Sequence, residues 1–482
     1  MSGTTDRRPT RIGGRAVVVG ASMAGLCAAR VLSERFDHVL LVDRDTLPDG
    51  PVPRGRVPQG RHPHLLLVAG ARLLERWFPG IVDELESGGA VDLDLCGDFY
   101  WHQGGGVARR PSSPLRGPAM SRPFLEHTVR ARVGALPRVT VRDRTTVDGL
   151  HTDTGGARIT GVRFDDGTTA GCDLVVDATG RQARSLAWLA PLGFPAPPTS
   201  VVAVDTRYVS QVYPRGDDPH RGWKAAAVID EPAAKRLAMA LPVEGDRWIV
   251  LLGGLNGESP PTGEAERLAY ARSMPSPVIA EIMETAEPLD TRATHRFPAN
   301  QRRHVERMRR APLGWAPLGD AVCSFDPIYG QGMTSAALQA EALGACLDRC
   351  GAVDRAFARR YLRSVARVVA GPWSVAVGGD FVYDGTTGPK PPGTDLLNRY
   401  MDRVTVAAQH DDAVALRLNE VIAMMRAPEA LLAPGFVLRV LSLARRGPAG
   451  TTAATTAGPV RPDTTPPVAA DRTPWPRLSP PA

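Results

Sequence analysis

The stretch from Ala16 to Asp43 constrains the fold of this chain more than any other part of it. Its short run of β-branched residues, Val17 to Val19, is typical of a buried strand in a parallel sheet. The loop Gly20 to Gly25 comes next, followed by a helical run of small residues and a second apolar run, His38 to Val42. Strand, glycine loop, helix and strand in this order predict the first βαβ unit of a dinucleotide-binding fold. A merely structural turn is the alternative.

Each residue type in this unit fits a dinucleotide. Gly20 permits a tight turn, and Gly25 lets the helix and the strand pack closely. The N-terminus of the helix offers backbone N–H groups to a pyrophosphate. The motif usually carries a second glycine where this chain has Ser22, whose hydroxyl can donate to a phosphate oxygen. Asp43, 23 residues after Gly20, is placed to accept hydrogen bonds from a ribose.

Length and charge limit the organisation and the partners of the chain. Its 482 residues exceed one ordinary core, so we expect two or three interlocked domains. The net charge is +7, yet acids are interspersed among the arginines, so we expect no nucleic-acid partner. The densest basic cluster, residues 301–310, is interpreted as a solvated helix face, with a phosphate contact as the alternative.

The cysteines and the apolar runs indicate the compartment. Six cysteines are scattered without CxxC spacing, which is typical of reduced thiols. No signal peptide precedes the first strand, and no apolar run reaches the roughly 18 residues of a membrane-spanning helix. We therefore expect a soluble, cytoplasmic protein with no transmembrane segment.

A second glycine-containing motif, GDAVCSFDPIYGQGM at residues 319–333, supplies what a flavin dinucleotide needs beyond the first βαβ unit. Asp320 is suited to accept a hydrogen bond from a ribityl hydroxyl, and Gly330 and Gly332 allow the backbone to approach a flavin ring. The helix that begins near Met333 points its dipole at the ring edge that becomes negative on reduction. The motif therefore predicts FAD as the cofactor.

Together with GASMAG, Asp43 and DLVVDATGRQAR (173–184), this motif resembles the group A flavoprotein monooxygenases of the p-hydroxybenzoate hydroxylase fold. The segment RGRVPQGRHPHLLL (54–67) is similar to squalene-epoxidase-like bacterial polyketide epoxidases. The resemblance covers about residues 15–350. It implies an α/β fold in which an FAD-binding Rossmann-like domain is interleaved with an antiparallel β-sheet substrate domain, with C-terminal helices added.

The resemblance also implies where FAD would bind. Arg122 would reach the phosphate or ribityl region, and the backbone at Val147 would meet the adenine. The full set of implied cofactor-binding residues is Gly20, Ala21, Ser22, Met23, Ala24, Gly25, Asp43, Arg44, Gln59, His62, Arg122, Val147, Asp320, Pro327, Gly330, Gly332 and Met333.

Several side chains have two interpretations. His62 and His64 form an H-x-H pair, but no third ligand stands at metal-site spacing, so a flavin-side contact from His62 or Gln59 is favoured and no metal is expected. Arg181 and Arg184 either hold phosphates or are surface arginines of a turn at a strand end.

The chain divides in the sequence into six predicted segments. These are a flexible arm at 1–14, an FAD-binding domain at 15–190 with a substrate-domain excursion near 85–112, a β-sheet substrate domain at 191–298, the flavin end of the FAD-binding domain at 299–350, a C-terminal helical region at 351–446 and a disordered tail at 447–482. Within the second segment, the runs 158–164 and 174–177 predict the two strands of a hairpin.

The implied activity is an FAD-dependent monooxygenase that epoxidises or hydroxylates a hydrophobic polyketide, terpenoid or aromatic natural product. It would use O₂ through a flavin C4a-hydroperoxide, with NADPH or NADH as reductant or a separate flavin reductase as the electron source. The sequence singles out no catalytic side chain and no oligomeric state. Two alternatives stay open, an FAD-dependent reductase or dehydrogenase of an isoprenoid-like substrate and a non-catalytic flavoprotein. A halogenase is disfavoured because no lysine precedes Lys224.

Overall fold

The protein was analysed as a computed structural model that describes residues 11–216 and 221–450. The strands are β1 (Gly13–Val19), β2 (Phe36–Val42), β3 (Val91–Asp94), β4 (Phe99–Gln103), β5 (Gly106–Val107), β6 (Arg116–Ala119), β7 (Val139–Arg142), β8 (Val147–Thr152), β9 (Ile159–Phe164), β10 (Thr169–Gly171), β11 (Leu174–Asp177), β12 (Thr199–Pro214), β13 (Ala225–Ile229), β14 (Arg236–Val243), β15 (Arg247–Gly254), β16 (Ala293–Arg303), β17 (Trp315–Pro317) and β18 (Cys323–Ser324). The helices are α1 (Met23–Leu32), α2 (Val68–Trp77), α3 (Ile81–Ser87), α4 (Arg122–Gly134), α5 (Ser185–Leu189), α6 (Glu264–Arg272), α7 (Val278–Thr285), α8 (Gly332–Cys350), α9 (Arg355–Asp380), α10 (Thr394–Ala408), α11 (Asp412–Ile422) and α12 (Pro434–Leu443).

The first βαβ unit forms the centre of a five-stranded parallel sheet in the order β17-β11-β1-β2-β7. Val17 and Val18 of β1 are fully buried, as expected for a strand covered on both faces. A Cβ on Gly25 would lie 1.7 Å from the carbonyl oxygen of Gly20, so close packing of α1 on β1 requires glycine there. This part of the sequence prediction is confirmed.

The predicted hairpin between 158–164 and 174–177 is wrong in its second strand. The partner of β9 is β10, whereas β11 leaves the hairpin and lies parallel to β1, with Val176 level with Val18. All four residues of β11 are buried, so the strand satisfies the two-sided core of the parallel sheet better than a hairpin with an exposed face.

The second large sheet has eight strands in the order β18-β16-β12-β15-β14-β13-β4-β5. Most of its neighbours pair antiparallel, and β4 joins β13 in parallel. The strands β4 and β5 come from the predicted excursion near 85–112, and the predicted boundary at 298 falls within β16. The mixed α/β fold with parallel and antiparallel sheets and C-terminal helices is confirmed.

The helix α8 connects the second glycine motif to the core of the first. It packs against α1 and α9, and a Cβ on Gly344 would lie 2.6 Å from a methyl group of Val31. The N-termini of α1 and α8 are thereby held within one core, although 309 positions separate Met23 from Gly332.

The basic cluster at 301–310 does not form the predicted helix face. Residues 301–303 end β16, and Val305–Arg307 is a single 3₁₀ turn. Arg303 is buried and donates to the carbonyl oxygens of Asp320, Ala321 and Arg181, so it ties together the loops before α8 and after β11. The predicted helix is wrong because this segment has no apolar face that a helix could bury, and Arg303 is instead buried as part of β16.

Within residues 11–216 and 221–450, no helix is long and apolar enough to cross a membrane. Most of the predicted tail, residues 451–482, and most of the predicted arm, residues 1–10, lie outside the described residues.

Candidate active site

One cavity of about 540 Å³ joins the two glycine motifs. We call its two extremes the α1 end and the α8 end. The α1 end is lined by Gly20, Ser22 to Ala24, Asp43, Arg54 and Arg122, with Glu126 beside Ser22 and Arg54. The lining residues of the α8 end fall between Asp320 and Met333. The carboxyl-terminal ends of β1, β2 and β11 open onto this cavity through Val19, Val42 and Ala178. Ligands of α/β sheets bind at this edge, beyond the carboxyl ends of the strands.

Most of the predicted cofactor-binding residues line the cavity. These are Gly20, Ser22, Met23, Ala24, Asp43, Arg44, Gln59, Arg122, Val147, Asp320, Pro327, Gly330, Gly332 and Met333. Three predicted residues, Ala21, Gly25 and His62, are not among its lining residues. Ala21 donates its backbone N–H to Asp43, Gly25 packs against Gly20, and the His62 ring bonds Ser210.

At the α1 end, Ser22 contacts side chains from α4. Its hydroxyl donates to Glu126 Oε2 at 3.0 Å and accepts from the Arg122 guanidinium at 2.9 Å. Ser121 caps α4 by accepting from the backbone N–H of Phe124, and this fixes the direction of the helix that carries Arg122 and Glu126. The serine that departs from the glycine pattern therefore orients a buried acid and a buried arginine.

Asp43 has a cationic partner that the sequence did not reveal. Its carboxylate accepts from the backbone N–H of Ala21 at 2.7 Å and pairs with the Arg54 guanidinium at 2.8 Å. Arg54 also pairs with Glu126 at 2.9 Å, and its side chain is 6% exposed. Burial lowers the pKa of Arg54, but Asp43 and Glu126 more than offset this and raise it above its usual value.

At the α8 end, the backbone leaves room for a ligand. Gly330 has a φ of +66°, and added Cβ atoms on Gly330 and Gly332 would meet no heavy atom within 4 Å. Asp320 lines the cavity, and burial raises the pKa of its carboxyl group against the opposing charges of Arg122, Arg181 and Arg303.

Two arginines of the segment after β11 line the cavity, whereas Asp177 at the end of β11 does not. Asp177 is buried and accepts from the backbone and hydroxyl of both Thr179 and Ser185, so it holds the turn together. Arg181 and Arg184 line the cavity, and Arg181 also donates to Ser324 at 3.1 Å. Neither arginine is a plain surface residue.

His62 is buried, His64 is partly buried and lines the cavity, and both rings are neutral. The His62 ring bonds Ser210 through Nδ1 at 2.9 Å and lies edge-on to Tyr208, with ring centroids 4.9 Å apart. Burial lowers the pKa of His62 to about 3, and burial with the charge of Arg122 lowers that of His64 to about 3. In the described part of the chain, no group of three or more His, Cys, Asp or Glu side chains could hold a metal ion.

Sequence reasoning missed four functional candidates: Arg54, Glu126, Asp326 and Asp380. Arg54 begins the segment 54–67, and Glu126 stands one helical turn after Arg122, so a search for i,i+4 charge pairs could have found the second. Asp326 precedes Pro327 inside the second motif, but its buried partner Asp380 ends α9 and carries no local signal.

The cavity fits an FAD molecule by charge and by shape. Seven arginines and four aspartates line it, which favours a dianionic pyrophosphate. The N-termini of α1 and α8 have no side-chain cap, so their first N–H groups are free to serve a ligand. Arg122 Nε is buried without a hydrogen-bond partner among the described residues, and the unfilled space at Gly330 and Gly332 suits a planar ring.

The fold is that of known flavin-dependent enzymes. The flavin-dependent brominase Bmp2 superposes with a TM-score of 0.61 at 13% identity, over 89% of this chain and 98% of that chain. The p-nitrophenol 4-monooxygenase PnpA from Pseudomonas putida DLL-E4 superposes with a TM-score of 0.60 at 18% identity, over 86% of this chain and 99% of that chain. A brominase and a monooxygenase thus share this architecture, so the fold by itself leaves the reaction open.

No protein-family model matches the sequence. Protein Rv3254 of Mycobacterium tuberculosis (strain ATCC 25618 / H37Rv) is 32% identical over 419 residues, which span 83% of this chain and 87% of the mycobacterial protein. The chain therefore belongs to the same family as Rv3254.

Proposed function

We propose that the protein is an FAD-dependent monooxygenase that epoxidises or hydroxylates a hydrophobic natural product of the polyketide, terpenoid or aromatic class. One observation carries the proposal: a single cavity is lined both by the glycine loop before α1 and by the glycine motif before α8. NADPH, NADH or a separate flavin reductase supplies the electrons, and the cytoplasm is the proposed location.

The residues of the two ends would bind different parts of the cofactor. Gly20 to Ala24 and the N-terminus of α1 would hold the pyrophosphate, with Arg122 beside it. Asp43 would hold the adenosine ribose, and Arg44 and Val147 lie along the same part of the wall. Asp320 would accept from the ribityl chain, and the N-terminus of α8 would face the ring across Pro327, Gly330 and Gly332.

Reduced FAD, when bound, supplies the chemistry that activates O₂ for insertion of one oxygen atom. The chain contributes positive potential, an oriented helix dipole and shielding from water. Trp188, Phe297 and Phe325 add apolar surface to the cavity wall, which suits a hydrophobic substrate.

Halogenation is less consistent with the site. Flavin-dependent halogenases use a lysine shortly after the first nucleotide-binding unit, and none of the three lysines of this chain, the first of which is Lys224, lines the cavity. Lys224 pairs instead with Asp98 at 2.9 Å and donates to the Asp92 carbonyl.

The cofactor is tested by purification. The wild-type protein should be yellow and release FAD on denaturation, and Asp320→Ala should lose bound FAD because it removes the acceptor at the ribityl position. Asp402→Asn, an exposed change on α10, serves as the control and should retain FAD. A colourless wild-type protein that ignores added FAD would contradict the proposal.

The reaction class is tested with labelled oxygen. Oxidation of NADPH or NADH should accelerate with the correct substrate, and one oxygen atom from ¹⁸O₂ should appear in the product. Turnover at the same rate without oxygen would favour the reductase or dehydrogenase alternative. Tight FAD binding with no turnover across a wide substrate panel would favour a non-catalytic flavoprotein.

A further inference from the structure

Two carboxyl side chains meet in one buried network at the α8 end of the cavity. Asp326, which lines the cavity, is 1% exposed, and Asp380 at the end of α9 is 0% exposed. Asn300 links them: its side-chain oxygen accepts from the backbone N–H of Asp326 at 2.7 Å, and its amide nitrogen donates to Asp380. The two acids are thus held together across three elements of the fold.

The groups that donate to these carboxyls are all neutral. Thr206 and the backbone N–H of Ile328 donate to Asp326, while Asn300 and the Tyr329 hydroxyl donate to Asp380. Buried carboxyls without a cation bind a proton more readily than exposed ones. Burial raises the pKa of Asp326 to about 6, and burial together with Asp326 raises that of Asp380 well above its usual range.

The tyrosines and the histidine around the pair are neutral at neutral pH. Burial and the neighbouring acids raise the pKa of Tyr208 on β12, of Tyr329 and of Tyr383, the last to about 12. Burial lowers the pKa of His295, which lines the same cavity. Two arginines also line the cavity nearby, but Arg296 pairs with Asp205, and Arg181 donates to Ala299 and Ser324.

We propose that Asp326 is the acid–base residue of the reaction and that the substrate carries an ionisable O–H group, as a phenol or an enol does. This proposal rests on the proposed function. The substrate O–H bond breaks, its electron pair stays on the substrate oxygen, and the proton forms the carboxylic O–H of Asp326. Asp380 is a positioning residue, which keeps its own proton so that Asp326 is the group that titrates near neutrality.

The buried carboxyl pair distinguishes between epoxidation and hydroxylation. An ionised phenol or enol is electron-rich at carbon and is the better acceptor of an electrophilic oxygen atom, so a base beside the substrate assists hydroxylation. Epoxidation of an isolated alkene transfers no proton from the substrate and needs no such group. The carboxyl pair therefore favours hydroxylation of an O–H-bearing ring or enol.

The proton-holding pair is tested by infrared spectroscopy of the purified protein between pH 4 and pH 8, in H₂O and D₂O. Wild type should show a protonated-carboxyl C=O band at neutral pH and a second band that disappears as the pH rises through about 6. Asp326→Asn should remove the titrating band, and Asp380→Asn should remove the persistent one. The exposed control Asp49→Asn should change neither. A wild-type spectrum without a protonated carboxyl at pH 7 would overturn the proposal even if the variants do not fold.

The substrate class is tested with a matched pair of probes, 2-naphthol and its methyl ether, which differ in the ionisable proton. Binding to the FAD-loaded protein is followed by the change in flavin absorbance. The naphthol should bind wild type at least about tenfold more tightly than the ether, as a charge-assisted hydrogen bond implies. This preference should weaken as the pH falls below 6 and should be lost in Asp326→Asn. Equal affinities in wild type, a preference retained in Asp326→Asn, or no binding of either probe would overturn the assignment.

The two proposals fail separately. If the protein binds no FAD, the proposed function falls while the infrared titration still reports on the carboxyl pair. If FAD binds and oxygen is inserted but the infrared bands or the probe preference are absent, only the role of Asp326 falls.

Discussion

At the α1 end of the cavity, the carboxylates of Asp43 and Glu126 both contact one guanidinium, that of Arg54, at 2.8 and 2.9 Å. At the α8 end, Asp326 and Asp380 receive hydrogen bonds from hydroxyl, amide and backbone groups and from no cation. All four acids are largely buried. Buried acidic side chains are thus accommodated in two different ways, by a cation at one end and by neutral hydrogen-bond donors at the other.

The two ends differ in what accompanies the buried acids, a neighbouring cation at the α1 end or a bound proton at the α8 end. Where a guanidinium is present, two acids pair with it and raise the pKa of Arg54, which suits a fixed charged framework. Where only neutral donors are present, burial raises the pKa of both carboxyl groups, and Asp326 can take up and release a proton near neutrality. The first arrangement favours binding and the second favours proton transfer.

The largest effect is expected from removing the shared cation. Arg54→Ala would leave Asp43 and Glu126 buried without their partner, which costs about 3–5 kcal/mol of unfolding free energy. Urea unfolding followed by circular dichroism measures it. The matched control is Arg11→Ala, which breaks the exposed pair with Asp37, whose side chains are 51% and 52% exposed, and should cost less than about 1 kcal/mol. Similar losses in the two variants would show that Arg54 does not hold the α1 end together.

An intermediate effect with a definite sign on pH is expected at the other end. The folded pKa of Asp326 is raised to about 6 from a usual value of 3.8, so folding is disfavoured as the pH rises through this window. Wild type should therefore lose roughly 1–3 kcal/mol of unfolding free energy relative to Asp326→Asn between pH 4 and pH 6. Denaturant titrations at each pH test this, with Asp49→Asn as the reference. A constant difference across the window would mean that Asp326 is ionised throughout and that the two ends do not differ.

The smallest change in stability is expected from a backbone substitution at the α8 end. Gly330→Ala should cost about 1 kcal/mol, since its φ of +66° disfavours a side chain although the space is open. If a flavin ring lies against this turn, the added methyl group should also weaken FAD binding at least about tenfold. Gly167→Ala is the matched control, with a φ of +81° and open space in the β9–β10 turn. Thermal unfolding and FAD titration separate the two effects, and equal FAD affinity in both variants would place the ring elsewhere.

Much of the fold could be predicted because its signals are local. The apolar run, the glycine loop and Asp43 lie within 28 residues, and the motif at 319–333 is equally compact. Strand β11 was assigned to the wrong sheet because its four apolar or terminal residues permit either partner, and only burial on both faces selects β1. The segment 301–310 shows the same limit, since its charge pattern does not reveal that Arg303 is buried against the loops it binds.

The sequence by itself determined that two glycine motifs, about 300 residues apart, would each precede a helix, because each motif carries its own backbone conformation. The tertiary structure alone decided which side chains meet between them. Arg54 and Glu126 are 72 positions apart, and Asn300 and Asp380 are 80 positions apart. Ionisation of a buried acid depends on the groups that folding places around it, and no local pattern records those groups. For that reason a dinucleotide site could be proposed from the sequence, whereas the proton chemistry could be proposed only from the tertiary structure.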